Sequence, residues 1–390
     1  MLEQLVELEA THMMQTYKRL PIEFVRGEGA TLYDAAGEPY LDFLAGISVC
    51  NTGHCHPHVV EAIRDQAGRL VHVSNLYYNE PGVRLAQRVA ETFDQGARVF
   101  LCNSGAEANE AAIKLARKRR PGGQIVVLEH AFHGRTMGAL SATPQRDKQA
   151  PFEPLVPGFV AVPRDDPQRL TEAVGEHTAA VLIEPVQGEC GVWPIGDDVL
   201  SAARAACDRT GALLIFDEIQ CGMGRTGSLW SFERGPVRPD AFTAAKSLAS
   251  GLPVGALVAR GDAADVLQPG DHGTTFGGGA LVAAAALATL DLIDDERQLA
   301  RVRALGERMQ AGLEELRARG KLADVRARGL MLGADLAPDR AGAAPKVVRD
   351  ALASRLVLNA TGPDTLRFLP PFVIEEADVD RVVEYLDTTL

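Results

Sequence analysis

Two residues of this chain suit one cofactor above others. Asp217 directly follows an apolar run at residues 212–216, and Lys246 lies 29 positions later in a turn of small residues. Pyridoxal phosphate (PLP) needs a carboxylate at its pyridinium nitrogen and a lysine amine that holds its aldehyde as a Schiff base. The pair therefore indicates an enzyme whose chemistry stabilises a carbanion next to an amine.

The elements around this pair predict an α/β fold. Strand-like runs occur at residues 98–102, 124–128, 159–162, 179–184, 212–216 and 254–259. Helical patterns separate most of these runs, and such alternation implies a mostly parallel sheet covered by helices on both faces. We expect residues 57–280 to form a large cofactor-binding domain.

The two ends of the chain predict a second, smaller α+β domain, made of residues 1–56 and 281–390. About 20 residues at the start suggest a helix, and residues 31–43 read as a hairpin that turns at 34–37. After residue 280 the pattern is helical to about residue 320, followed by short strands at 330–336 and 365–369 and a final helix from Glu375.

Composition argues against several classes of partner. A net charge of −12 makes a nucleic-acid role improbable. The acidic start lacks the basic and apolar regions of a signal peptide, and the Ala-rich run at 280–290 is too short to span a bilayer. Six cysteines without a CxxC pair suggest reduced thiols. We therefore expect a cytoplasmic protein without a membrane or nucleic-acid partner.

Ser104 opens a turn that suits a phosphate group. The residues Asn-Ser-Gly-Ala-Glu at 103–107 follow a predicted strand and begin a helix, where free N–H groups can bind an anion. Ser104 and Glu107 also have the spacing of a capping box, in which each side chain satisfies the backbone of the other. Both interpretations can hold, because the box would order the turn that binds the phosphate.

Three further side chains suggest how flat and anionic molecules bind. Phe132 follows a strand, where a ring can stack on a flat cofactor, although such a ring more often belongs to the core. Arg135 offers a planar fork for a carboxylate. Glu189 lies in a turn with glycines on both sides. A lone carboxylate in a loop is usually just solvated, but this one gains a role if Arg135 and Arg367 need a partner when no dianionic substrate is bound.

Three other patterns are less informative. Residues 222–227 match the GxGxxG motif of dinucleotide-binding proteins, but residues 217–221 separate them from the strand and a poor helix follows. The loop at 273–279 either contacts phosphate or merely connects two elements. One cluster lacks the spacing of a standard zinc site: Cys50, His54, Cys55, His56 and His58.

In their order along the chain, the motifs resemble those of class III (ornithine-type) aminotransferases in the fold-type I PLP superfamily, and most of all the acetylornithine aminotransferase family. The resemblance runs through nearly the whole chain and is more specific for the class than for the substrate. Its motifs are SNLYYNEP (74–81), CNSGAEANE (102–110), FHGRT (132–136), EPVQGE (184–189), FDEIQ (216–220), GMGRTG (222–227) and LRFLPP (366–371).

For the cofactor, the resemblance implies that Lys246 carries PLP and then acts as the general base. It implies that Asp217 pairs with the pyridinium nitrogen and that Gln220 reaches the phenolic oxygen. The remaining implied cofactor contacts are Ser104, Gly105 and Ala106 at the phosphate and Phe132 on the ring.

For the substrate, the resemblance implies that Arg135 binds a carboxylate, that Arg367 takes the α-carboxylate of glutamate, and that Glu189 covers Arg367 when the other amino donor binds. Thr275 is expected at the phosphate of the other subunit, with Thr274 beside it among the substrate contacts. A homodimer with a shared active site follows.

Two segments depart from the family pattern. Gly278, Gly279 and Ala280 stand where the family usually shows Asn and Pro, and Cys50 stands where it places Asn. The implied reaction moves the δ-amino group of N2-acetyl-L-ornithine to 2-oxoglutarate. Ornithine, succinylornithine and 4-aminobutyrate remain alternative donors, with Asn109 favouring the acetylornithine branch. A nicotinamide dehydrogenase and a non-catalytic binding protein are more distant alternatives.

Overall fold

The computed structural model describes residues 2–390, and its main feature is a seven-stranded sheet. All neighbouring strands are parallel except the two pairs made by Gly255–Ala259. This arrangement confirms the predicted α/β fold class. The spatial order of the strands is Arg98–Cys102, Gly255–Ala259, Ala241–Ala244, Leu213–Asp217, Thr178–Ile183, Gln124–Leu128 and Phe159–Val162.

Side chains of the strands point alternately into two apolar layers, as a sheet buried on both faces requires. Ile215 belongs to the layer that packs against the small residues of helix Gly105–Arg119. Leu214 belongs to the opposite layer, formed with helices Glu80–Glu91, Asp197–Thr210 and Ala280–Ile293. Packing in these two layers holds the strands in place, and with them the strand ends where the predicted site residues lie.

The remaining helices surround this core. Among residues 2–390, no helix has the length and apolar content needed to cross a membrane. Residues Ala45–Ser48 form an irregular turn rather than a regular helix, with Ile47 at φ 68°. The other helices are Leu2–His12, Pro57–Ala67, Met137–Ser141, Arg146–Gln149, Pro167–Ala173, Glu296–Ala318, Ala344–Ala353 and Glu376–Thr389.

Three smaller sheets complete the fold. The first joins the ends of the chain, because Leu356–Val357 pairs in parallel with Pro39–Asp42. The expected division at residues 57–280 stays a prediction. In order within each sheet, the strands are Phe24–Glu28, Thr31–Asp34, Pro39–Asp42 and Leu356–Val357; Leu322–Arg328, Met331–Leu336, Thr365–Phe368 and Asn359–Ala360; and Val186–Gln187 with Trp193–Pro194.

The structure corrects two expectations about secondary structure. The first helix ends at His12 instead of near residue 20, and it buries no side chain. Without burial, a short helix gains little stability from its own sequence. Strand Ala241–Ala244 was not predicted, because a run of four residues between Pro239 and Lys246 has no periodicity to read.

Candidate active site

A cavity of about 430 Å³ opens where several strands of the large sheet reach their carboxyl ends. Ligands of open α/β sheets bind at this edge, because the loops that leave the strands converge there. Eight of the predicted site residues line the cavity: Ser104, Gly105, Ala106, Phe132, Arg135, Asp217, Gln220 and Lys246. Glu189 and Arg367 adjoin it through Gln220, whereas Thr274 and Thr275 lie elsewhere.

Ser104 caps the helix Gly105–Arg119 with its side chain. Its Oγ accepts from the N–H of Glu107 at 3.2 Å. The expected reciprocal bond is not formed, because the carboxylate of Glu107 instead accepts from the backbone and side-chain nitrogens of Asn103, at 3.0 and 2.8 Å. Within residues 2–390 the N–H groups of Gly105 and Ala106 donate to no acceptor. The turn therefore presents two donors at the positive end of a helix dipole.

Asp217 is a buried carboxylate held on both oxygens. Its Oδ2 accepts from His133 Nδ1 at 2.7 Å and from Asn109 Nδ2 at 2.8 Å, while Oδ1 accepts from the N–H of Ile219 at 3.1 Å. Asn109 is held in turn by Thr243, whose hydroxyl donates to Asn109 Oδ1 at 2.8 Å. The carboxylate is thus fixed in orientation before any ligand arrives.

Sequence reasoning missed the roles of His133 and Asn109 as partners of Asp217. Both residues are buried, and His133 Nε2 has no hydrogen-bond partner among the described residues. One signal was available, since Asn109 is a polar residue among the alanines of the apolar helix face. Such a residue needs a polar partner inside the protein.

Lys246 follows strand Ala241–Ala244 in a left-handed backbone conformation, with φ 43°. Burial lowers the pKa of its amine, although the negative charges of Glu189 and Asp217 oppose that effect. In the described chain its Nζ forms neither an ion pair nor a hydrogen bond. A strained backbone and an unpartnered amine at the cavity wall are features of a functional lysine.

Arg367 donates to four oxygen atoms at the edge of the cavity, among them the carbonyl of Gly188 at 3.2 Å and Gln220 Oε1 at 3.3 Å. Its Nη1 lies 2.6 Å from Glu189 Oε1, while Nε donates to Asn359 Oδ1 at 3.0 Å. Gln220 joins the pair by donating to Glu189 Oε1 at 3.1 Å. Burial opposes ionisation of Glu189, but the guanidinium of Arg367 outweighs it and the pKa of Glu189 is lowered. The structure therefore brings together the predicted arginine and the carboxylate expected to cover it.

Gly188 allows this cluster to form, and its replacement should disturb it. A Cβ atom built at Gly188 would overlap the side-chain amide of Gln220. We expect Gly188→Ala to lower kcat/KM by at least about 10-fold, because moving a binding group by 1 Å is costly. Gly175→Ala is the matched control, since no heavy atom lies within 4 Å of its added Cβ. Equal steady-state kinetics for the two variants would contradict the expectation.

Phe132 and Arg135 form one wall of the cavity. The N–H of Phe132 donates to Glu184 Oε2 at 2.8 Å, and the Arg135 guanidinium lies 5.5 Å from the centroid of the Phe132 ring. Arg135 itself is exposed, and Glu184 is buried. Burial and then the neighbouring charge of Asp217 raise the pKa of Glu184 well above its ordinary value. Glu184 thus holds the backbone of Phe132 in place at this wall.

Thr274 and Thr275 do not line the cavity of their own chain. Thr274 Oγ1 accepts from Asn103 Nδ2 at 2.9 Å and lines a neighbouring cavity of about 450 Å³. Thr275 is exposed. Their expected contacts with a cofactor phosphate in another subunit stay predictions.

The two rival motifs have local structural explanations. The GxGxxG segment at 222–227 is a loop that leads to a single short 3₁₀ helix, Ser231–Arg234, and not into an α-helix, which removes the geometry that dinucleotide binding needs. In the Cys/His cluster, His54 Nε2 lies 2.7 Å from Asp42 Oδ2. Burial lowers the pKa of His54, but hydrogen bonds to Asp42 and Cys50 raise it to about 10 overall.

Residues 12–390 match the family model of the class III aminotransferases. An acetylornithine aminotransferase of Methanocaldococcus jannaschii is 46% identical over 99% of this chain and 97% of its own. The solved acetylornithine aminotransferase of Elizabethkingia anophelis has a TM-score of 0.89 at 34% identity, covering 100% of this chain and 98% of that one.

A second solved structure is the ornithine aminotransferase of Toxoplasma gondii, which carries PLP at partial occupancy in its active site. It has a TM-score of 0.93 at 33% identity and covers 98% of this chain and 94% of that one. Sequence and fold agree over nearly the full length of the chain. This chain therefore belongs to the class III aminotransferases.

Proposed function

We propose that this aminotransferase uses PLP to move the δ-amino group of N2-acetyl-L-ornithine to 2-oxoglutarate, a step of arginine biosynthesis. The observation that carries the proposal is the Arg367–Glu189 pair beside the cavity that Lys246 lines. A site for both glutamate and a donor that has no carboxylate next to its reacting amine needs a cation that can be covered. Leaving Arg367 buried without a partner would cost several kcal/mol.

Three features of the cavity suit PLP. The donors at Gly105 and Ala106 suit a phosphate, because a helix N-terminus binds anions. The fixed carboxylate of Asp217 suits a protonated ring nitrogen, and the amine of Lys246 suits an aldehyde. Phe132 supplies an apolar face for the ring. When bound, PLP would supply the electrophile and the electron sink of the reaction.

The chain's own residues would then perform the proton and binding steps. The amine of Lys246, with its lowered pKa, would accept a proton at Nζ from the reacting carbon of the donor and later donate that proton back. Asp217 would keep the ring nitrogen protonated, held in place by His133 and Asn109. Arg367 would bind glutamate after Glu189 moves away, and Arg135 would bind the second carboxylate.

We also propose a homodimer and a cytoplasmic location. Leu76, Tyr77 and Tyr78 are 85%, 68% and 98% exposed, and Phe276 near them is 65% exposed. An apolar surface of this kind marks an interaction site, and a second copy covering it would bring Thr275 near another active site. The six cysteines carry no disulfide among the described residues, as a reducing compartment would require.

A donor panel with 2-oxoglutarate as the acceptor tests the proposed substrate. We expect kcat/KM for N2-acetyl-L-ornithine to exceed the values for ornithine, succinylornithine and 4-aminobutyrate. A higher value for any of these donors would reassign the substrate while keeping the class. If borohydride bleaches a yellow colour of the purified protein, the protein contains PLP. A protein that shows no such bleaching would contradict the proposed cofactor.

Glu189→Ala should affect the two half-reactions unequally. Removal of the carboxylate leaves Arg367 unpaired when the acetylated donor binds, whereas glutamate brings its own carboxylate. Arg367 would still donate to neutral oxygens of Asn359, Gly188 and Gln220. The loss is therefore that of one hydrogen bond between charged groups, about 1.5–3 kcal/mol, and kcat/KM for the donor should fall roughly 10- to 100-fold. The kcat/KM for 2-oxoglutarate should stay within about 3-fold of the wild-type value.

Single-turnover kinetics of each half-reaction measures this difference. Glu314→Ala is the matched control, because that glutamate pairs with Arg317 on an outer helix. Equal losses in both half-reactions of Glu189→Ala would remove the switching role.

A further inference from the structure

Arg225 is a fully buried arginine in the loop at 222–227, and no step described above uses it. Its nitrogen atoms donate both to residues that precede the loop in the chain and to residues that follow it. Nε donates to Ser48 Oγ at 3.0 Å, and Nη1 donates to the carbonyls of Leu330 and Pro370 at 2.8 and 2.7 Å. Nη2 donates to Asn51 Oδ1. The guanidinium thus joins the N-terminal segment to two loops that adjoin the C-terminal strands.

This arginine is costly to bury. Within residues 2–390 no carboxylate lies within ion-pair distance of it, and neutral oxygens and the Phe372 ring, 4.8 Å away, are its only partners. Burial lowers the pKa of Arg225 to about 9, because desolvation disfavours the charged form. A buried cation of this kind is weak evidence for stability and better evidence for a fixed arrangement.

Two of the Arg225 contacts lead to the glutamate site. Pro370, whose carbonyl it binds, lies three residues after Arg367 on the segment that leaves strand Thr365–Phe368. Ser48, which accepts from Arg225, donates its hydroxyl to the carbonyl of Gln220 at 3.2 Å. One guanidinium therefore anchors the backbone on both sides of the Gln220–Glu189–Arg367 cluster.

We propose that Arg225 is a positioning residue that sets the spacing between Arg367 and Gln220, and so the affinity for the dicarboxylate substrate. The inference rests on the proposed role of Arg367 in binding glutamate. The cluster bonds of 2.6 and 3.1 Å leave little room for relative movement of the two segments. Loosening either anchor should therefore weaken dicarboxylate binding more than donor binding.

Calorimetric binding of glutarate, a dicarboxylate that cannot react, to the PLP-loaded protein tests this role. Arg225→Lys loses several hydrogen bonds and should weaken glutarate binding about 10-fold, while Ser48→Ala removes the single hydroxyl that links Arg225 to Gln220 and should weaken it about 3-fold. The KM for 2-oxoglutarate should rise by similar factors. The KM for the amino donor should stay within about 2-fold.

Arg301→Lys is the matched control. Arg301 also binds carbonyls of the same C-terminal loop, at Phe372 and Ile374, but from helix Glu296–Ala318. It should lower stability without weakening glutarate binding. If Arg225 has only a structural role, Arg225→Lys and Arg301→Lys should bind glutarate with the same affinity. That result would overturn the proposal. If Arg225→Lys does not fold, unchanged glutarate binding by Ser48→Ala is sufficient to overturn it.

A failure of the proposed function can be distinguished from a failure of the Arg225 proposal. If the wild-type protein does not bind glutarate, or if Arg367→Lys binds it as tightly as the wild type, the carboxylate site itself is wrong. If the wild type binds glutarate and Arg367→Lys weakens the binding, the carboxylate site stands. Unchanged binding by Arg225→Lys and Ser48→Ala then refutes the Arg225 role alone.

Discussion

Replacing Lys246 with alanine should lower turnover by about 10⁴-fold, because one amine both holds the cofactor and transfers the proton. The amine lies at the cavity wall, and burial lowers its pKa, which increases the neutral fraction that can accept a proton. Steady-state kinetics with N2-acetyl-L-ornithine and 2-oxoglutarate measures the loss. Mass spectrometry after borohydride reduction should find PLP on the peptide that contains position 246 in the wild type and not in the variant.

Lys346→Ala separates this effect from the general loss of a lysine. Lys346 lies on a helix, is 70% exposed and pairs with Asp350. Its replacement should leave turnover within about 2-fold, since exposed ion pairs contribute little. Normal turnover of Lys246→Ala, or PLP attached to another lysine, would contradict the assignment of the active-site lysine.

Several of the predicted residues could be placed at the cavity because each stands in a recognisable local pattern. Asp217 ends a buried strand and Ser104 precedes a helix, whereas Lys246 was identified by its turn of small residues, since the strand before it was not predicted. In a parallel sheet the carboxyl ends of the strands share one edge, so local sequence suffices to bring these residues together. The pairing of Glu189 with Arg367 required the family resemblance as well, because nothing local connects them.

Contacts between distant parts of the chain were not predictable from local patterns. Asn109 and Asp217 are 108 positions apart, and no spacing rule relates them. Arg225 reaches Ser48 across 177 positions and Pro370 across 145. Competition between nearby partners also misled the sequence argument, since Glu107 bonds Asn103 instead of completing the capping box. The sequence therefore identified the residues proposed to act on the ligands more completely than the residues that hold them in place.

Asp217→Ala should retain PLP on Lys246 but lower turnover by about 10³-fold, the range for removing one preorganised charge from an active site. The carboxylate is the negative charge that a protonated ring nitrogen would need, and His133 and Asn109 fix its orientation. The variant leaves His133 Nδ1 and one of the two amide hydrogens of Asn109 without an acceptor, which should lower stability by about 1–3 kcal/mol. Kinetics, borohydride mass spectrometry and urea unfolding measure the three effects.

Asp217→Asn separates charge from hydrogen bonding, because the amide keeps the shape and one acceptor. If the charge is what matters, this variant should lose most of the turnover while recovering part of the stability. Asp240→Asn is the control, since Asp240 accepts from Arg204 and from the N–H of Leu214, at the opposite end of the same strand. It should lower stability and leave turnover within about 3-fold. Wild-type turnover in Asp217→Asn would show that the carboxylate acts by positioning alone, and wild-type turnover in Asp217→Ala would remove it from the reaction.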